Sequence, residues 1–418
     1  MTLDPVHFDG ITSLAGRITQ AVEERDHRQF AETVWREFLD PLVDDGTTVL
    51  EPLAEGGPRR RRVDVEAAAL QEPPFPTQHG LDSGTINPTT FKNGLTIDVA
   101  QAAMSAVPSD LDLHRARTVV ETVHTNDATV EFDEEWTGWD GGYTRGRVLH
   151  TPRVDQYETA VVHELALYLA ESHHASIQAE VVDDLLILDG PVYPKGLLNW
   201  ARREPELADL LAEERPRDVV ENYVHLVEQF VERDVPLLGF VKSPVTRAIT
   251  RTVRKRQGNA PWVNDAAFFS QVLEPRDEGG ERETDCLTLT GWFRSRGGAD
   301  RVLSTAGDAL GIERDLPGED YEVCFFMLYD PREDNVYRVE TPYAFAADPE
   351  RREALARQVL ADVAAEAGPP LAVAKADELA RIGQQETAAL RDAIQETVDS
   401  ERDTSYGEDR EANWLGVE

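Results

Sequence analysis

Two short apolar runs, each closed by an aspartate and then by residues that turn the chain, constrain this fold more than any other feature. The first is Leu81-Asp82-Ser83-Gly84, entered through His79-Gly80; the second is Leu185-Leu186-Ile187-Leu188-Asp189-Gly190-Pro191. Short apolar runs bounded by turn residues read as buried strands. Each aspartate then sits at a strand exit, a rim with fixed geometry and little water. Two aspartates at adjacent strand exits can hold a divalent cation, because hard oxygen ligands suit magnesium and manganese. Taken singly, Asp-Ser-Gly and Asp-Gly-Pro are also ordinary turn chemistry.

What lies between and around the runs sets the architecture. Residues 80–150 are strand-like, with Gly94–Met104 and Ala128–Phe132 alternating. Residues 153–180 read as one long helix that carries Glu158, Glu164 and Glu171. Helices follow at about 204–213 and 217–232, then an apolar strand over 236–241 and a helix opened by Pro244. Strands return at 286–293, 322–329 and 335–340, and residues 348–367 and 370–398 are helical in pattern. Upstream, residues 8–40 are helical, and 45–65 form short strands around a Gly-Gly-Pro turn beside Arg59–Arg62.

The pattern predicts an α/β fold: a mixed-sheet core flanked by helices over 71–398, a helical and small-strand extension over 1–70, and an acidic loose tail over 399–418. An acid on the first strand, acids on the first long helix and an acid on the next buried strand match the ribonuclease H-like nucleases. There, acids from strand one, the first helix and strand four converge on two metal ions. Such chemistry needs at least three carboxylates to neutralise the ions and to orient water in line with the scissile phosphate.

Charge bears on environment rather than fold. The 418-residue chain has a net charge of −37 and only five lysines: Lys92, Lys195, Lys242, Lys255 and Lys375. An acidic, lysine-poor surface reads as that of a protein from a cytosol of very high salt, so net charge does not exclude an anionic partner. Cys286 and Cys324 stand in no metal-ligand spacing, which suggests a reducing compartment and no structural zinc. The N-terminus has no basic stretch leading into an apolar one, and the longest apolar run, Val323–Tyr329, is too short to span a bilayer. The expectation is a cytoplasmic protein. No Gly-x-x-x-x-Gly-Lys-Ser/Thr occurs, so the chain is not expected to bind a nucleotide through a P-loop.

The chain resembles the NurA family of archaeal 5′–3′ nucleases. The residues that carry the resemblance are Leu81–Gly84, the glutamate-bearing helix Tyr157–Glu171, Leu188–Pro191, Leu238-Gly239-Phe240-Val241-Lys242-Ser243, and Pro370–Asp377. The resemblance implies a ribonuclease H-like core, a homodimer, manganese-dependent cleavage of DNA (magnesium being the alternative ion), and partnership with a HerA-type hexameric ATPase in DNA end resection. Asp82 and Asp189 fall on the family's two catalytic aspartates, as metal ligands. Glu164 is the first choice for the helix ligand, with Glu158 and Glu171 as alternatives. The family's C-terminal tyrosine and histidine fall on Ala367 and Lys375. A charged lysine cannot ligate metal, but it can meet a phosphate or stabilise developing charge.

Basic residues point the same way. Lys92, Lys195, Lys242 and Lys375 all lie in or just after the motif segments. Val235–Asn264 holds no acid, and Arg247, Arg251, Arg254 and Lys255 recur at helical spacing, with Val245, Ile249 and Val253 to anchor the helix. Such a face fits a phosphate backbone, and it also fits an acidic surface on the same protein or a partner. Trp136, Trp139 and Tyr143 can stack bases or cover a subunit contact. Two readings stand: a metal-dependent DNA nuclease, and a relative that keeps the fold, binds DNA or the ATPase, and has lost turnover through Ala367 and Lys375.

Overall fold

Leu185–Leu188 reads as an unbroken apolar run because both of its faces are covered. In the computed structural model, which describes residues 4–17, 24–154, 157–203, 205–303 and 310–403, this segment is the middle one of three parallel strands at the centre of the sheet. β1 (Gln78–Thr85), β2 (Thr96–Val107) and β3 (Arg117–His124) form an antiparallel meander. After α1 (Glu158–Gln178), β4 (Leu185–Asp189) returns parallel to β1, and after α2 (Glu214–Glu232), β5 (Leu237–Val241) adds parallel to β4. The spatial order β3-β2-β1-β4-β5, antiparallel and then parallel, is the ribonuclease H-like arrangement.

One face packs Leu81, Leu186, Leu188 and Leu237 on Val161, Leu165 and Leu169 of α1 and on Val220, Val224 and Phe230 of α2. The other packs Leu185, Ile187, Leu238 and Phe240 on Leu355, Val359 and Val363 of a later helix and on Val373 of the next. Burying each such side chain contributes about 1.5–3 kcal/mol, so the register that sets Leu188 beside Leu81, and with it Asp189 beside Asp82, is firmly held.

The sheet continues past β5. β6 (Val323–Asp330) and β7 (Asn335–Pro342) form a hairpin, with β7 antiparallel to β5. The N-terminal extension is woven into the same sheet: Thr47–Pro52 pairs with Phe293–Ser295, and Arg60–Asp64 pairs with Cys286–Thr290. The arginine run is a bracket there: Arg60 reaches Glu32 and the Val272 carbonyl, Arg61 reaches Glu353, and Arg62 reaches Glu283.

Several sequence expectations need correction. Ala128–Phe132 is not a strand; Asp127 there caps its own turn through Thr129. Pro244 does not open a helix: α3 spans Ala248–Gln257, because its first-turn donor at Thr250 is capped from outside by Asp265 (2.9 Å). Val245 is therefore exposed, while Ile249 and Val253 anchor α3. The C-terminal segment divides into α4 (Pro349–Glu366), α5 (Leu371–Ala380) and α6 (Gln384–Thr397). Of the expected tail, residues 404–418 lie outside the described residues.

Candidate active site

The site begins with how α5 lies on β1. Gly80, Asp82 and Gly84 alternate onto one face of the strand. A Cβ at Gly80 would stand 2.2 Å from the Ala372 carbonyl oxygen, and one at Gly84 would stand 2.4 Å from that of Ala380. Only glycine lets the helix backbone come this close, and Ser105 Oγ ties the Ala372 carbonyl at 2.6 Å. Asp377, between those two contacts on α5, is thereby brought to Asp82.

Asp82 accepts its neighbour Ser83 N–H at 2.7 Å. Asp189 closes β4, and its Oδ2 accepts from Lys242 Nζ at 2.6 Å, directly after β5. From the other face, Glu171 of α1 accepts from Ser83 Oγ at 2.6 Å and from the Tyr223 hydroxyl of α2 at 3.0 Å. Burial, then the charges of Asp189, Glu171 and Asp377, push Asp82 up to about 8. Burial pushes Glu171 up to about 7 against the two hydroxyl donors. Asp189 is raised by burial too, with Lys242 acting against the rise. Burial pushes the Lys242 ammonium down, but Asp189, Asp377 and Asp82 together hold it above its ordinary value.

The donor chemistry therefore fits a divalent cation: carboxylates from two adjacent strands and two flanking helices, carrying more negative charge than Lys242 offsets. Among the described residues, no three Asp, Glu, His or Cys side chains are gathered closely enough to clasp an ion as they stand. The ammonium of Lys242 holds Asp189 instead.

The other expected site residues have different neighbours. Glu164 lies two turns before Glu171, packed where a Cβ on Gly196 would come 2.9 Å from its carboxyl carbon; Glu171 is the helix acid beside Ser83. Glu158 stands at the start of α1. Lys375 reaches Ser109 Oγ at 3.3 Å, off the end of β2, because it is two residues from Asp377 and so on roughly the opposite side of α5. Ala367 caps α4 in the left-handed conformation. Lys195 is held by Glu340 (2.6 Å) and Asp300 (3.0 Å) in a largely buried ion cluster. Lys92 pairs with Glu401 at the surface, and Lys255 pairs with Asp44 and Asp45. Arg247, Arg251 and Arg254 are exposed. Trp136 stacks on His173 (3.8 Å between centroids), Trp139 is exposed, and the Tyr143 hydroxyl donates to Asp112.

Asp377 closes the Pro370–Asp377 motif, but the sequence reading gives it no place among the candidate site residues. Its signal was the spacing Gly80-x-Asp82-x-Gly84, which marks a place where another backbone crosses on the aspartate's own face.

The strand order and the acids gathered at β1, β4, α1 and α5 define a ribonuclease H-like α/β protein with a carboxylate centre. Residues 76–382 match the NurA domain. The chain belongs to the NurA family. Among solved structures it is similar to the NurA nuclease from Sulfolobus solfataricus, with 11% identity, a TM-score of 0.47, and coverage of 95% of this chain and 98% of that one. It is also similar to NurA with manganese (10% identity, TM-score 0.41, 78% of this chain and 90% of that one). A structure of NurA bound to dAMP and manganese matches at 10% identity and a TM-score of 0.38, over 78% of this chain and 90% of that one. No curated protein matches the chain. No helix among the described residues is long and apolar enough to cross a membrane.

Proposed function

We propose that this chain is a metal-dependent deoxyribonuclease: a 5′–3′ exonuclease that also cuts single strands internally, acting as a homodimer with a HerA-type hexameric ATPase in DNA end resection. The observation that carries the reading is Asp82 beside Asp189 on adjacent parallel strands, with Glu171 and Asp377 delivered from the two flanking layers. Asp82 and Asp189 would hold the cation, manganese or magnesium and a pair of ions in the fullest form, with Asp377 or Glu171 completing the donor set. A bound divalent ion supplies the activated water and neutralises the phosphate as charge develops on it. Around it, the Tyr223 and Ser83 hydroxyls fix the Glu171 carboxylate. Lys242 lies at the rim, where a compact ammonium can meet a phosphate oxygen. Arg247, Arg251 and Arg254 offer exposed cations to a phosphate backbone.

The non-catalytic reading retains one specific support: Lys242 engages Asp189, and Lys375 does not join the centre. The test is degradation of end-labelled single- and double-stranded DNA in molar potassium chloride, with manganese, magnesium or chelator. An Asp82→Ala, Asp189→Ala double variant runs beside the wild type. Metal-dependent loss of label in the wild type alone supports the nuclease. No cleavage in any metal, with the cognate ATPase present, supports the adaptor.

A further inference from the structure

Three aspartates face a single ammonium at the end of β4 and β5. Lys242 Nζ donates to Asp189 Oδ2 at 2.6 Å, with side-chain exposures of 34% and 13%. Asp82 comes from β1 in register with Asp189, and Asp377 comes from α5. The helix cannot withdraw Asp377 without leaving its seat against Gly80 and Gly84. Carboxylates that share a part-buried site repel one another unless a cation stands among them, and in this structure that cation is Lys242, bonded to Asp189. A divalent ion bound at Asp189 would want the same oxygen and would face the ammonium's repulsion.

We propose that Lys242 is the resident counter-cation of this centre, and that a divalent ion can load only by displacing its ammonium from Asp189. This rests on reading the centre as a metal site. Lysine suits the role because its stem is flexible and its charge is a compact point, so it can leave Asp189 without unfolding the strand that precedes it. The ammonium competes with the metal, so the wild-type chain binds its ion more weakly than its carboxylates alone would allow.

The experiment is Mn²⁺ binding to the full chain, read from the loss of the free-ion electron paramagnetic resonance signal in molar potassium chloride at one near-neutral pH for every chain. The chains compared are wild type, Lys242→Met, Lys242→Arg and the Asp82→Ala, Asp189→Ala double variant. Lys242→Met should bind Mn²⁺ about tenfold tighter than wild type, on the scale of one close charge pair released. Lys242→Arg keeps a cation in place and should bind no tighter than wild type; it also serves as the folded control. Should Lys242→Met bind no tighter while the double variant loses binding, displacement is overturned and the metal centre stands. Equal tightening by Lys242→Arg overturns it as well. If no chain binds Mn²⁺ saturably, both the displacement and the metal-centre reading fall.

Discussion

Two lysines sit among carboxylates only a strand apart, and they do different work. Around Lys195, two cations meet two anions: Lys195 and Arg338 bond to Asp300 and Glu340, and Ser295 Oγ donates to Asp300 at 2.6 Å. Burial pushes Asp300 up, but Lys195 and Arg338 more than offset it, and the carboxyl ends below its ordinary value. Around Lys242, one cation meets Asp82, Asp189 and Asp377, and both strand aspartates end above their ordinary values. A closed and balanced cluster locks elements together. An open cluster with surplus negative charge is poised to take another cation. The count of opposing charges, rather than burial alone, separates the two.

The comparison breaks most sharply under removal of acids. Asp82→Ala with Asp189→Ala should lower metal-dependent cleavage by about 10³-fold or more, while thermal unfolding in chelator stays near wild type or rises, since repelling carboxylates are gone. Glu340→Ala should do the reverse. It leaves Lys195 and Arg338 short of a partner in the interior, at a cost of about 3–5 kcal/mol, visible as a large drop in the unfolding midpoint. If Glu340→Ala proves harmless to stability while abolishing cleavage, the two clusters are one functional unit and the distinction fails.

A second pair of variants sharpens which helix acid belongs to the centre. Glu171→Gln keeps the shape but alters what the Ser83 and Tyr223 hydroxyls hold, and should reduce cleavage by roughly 10²-fold or more. Glu164→Gln should reduce it far less. Steady-state rates on one labelled duplex decide between them, and the reverse order would assign the role to Glu164.

Why this choice was hidden follows from helix geometry. Glu164 and Glu171 are two turns apart and share a face of α1, so periodicity cannot rank them; what favours Glu171 is its hydrogen bond from Ser83 on β1. Asp82 and Asp189 were legible because parallel strands buried on both faces become continuous apolar runs whose ends are conspicuous. Asp377 was not, since α5 meets β1 through backbone contacts at Gly80 and Gly84 that no local pattern on α5 records. β3 falls within the strand-like stretch 80–150 but has no clean alternation of its own, for a related reason. Its buried Thr118 and Thr122 look polar in sequence, yet each hydrogen-bonds to α1, through His174 and the Val162 carbonyl. The late start of α3 likewise depends on Asp265, fifteen residues beyond the donor it caps.

Burial of Asp82, with the neighbouring acids adding to it, also predicts a pH signature. Asp82 titrates at about 8 in the folded chain against an ordinary 3.8, so across that window the folded state holds a proton that the unfolded state has released. Stability in chelator should therefore fall as pH rises from about 4 to about 8, and the penalty is fully present only above the folded value. Asp82→Asn removes this contribution. Its melting temperature should match wild type near pH 4 and exceed it increasingly toward pH 8. Parallel curves over the whole range would show that Asp82 is neither buried nor crowded by acids in the way the structure gives.

The smallest effect belongs to the surface. Arg251 and Arg254 are exposed on α3, whose buried side is anchored by Ile249 and Val253, so changing the outer face leaves the core untouched. Phosphate contacts act through counterion release, which makes their signature a salt slope rather than a lost fold or a lost rate. Replacing both arginines with glutamine should weaken DNA binding uniformly across sequences and reduce the log–log salt slope by about one for each phosphate no longer neutralised. Lys92→Gln is the internal contrast. That ammonium is already paired with Glu401, so the slope should not move. A change with Lys92 but none with the arginine pair would place the DNA track along the β1–β2 connection and the C-terminal segment instead of along α3.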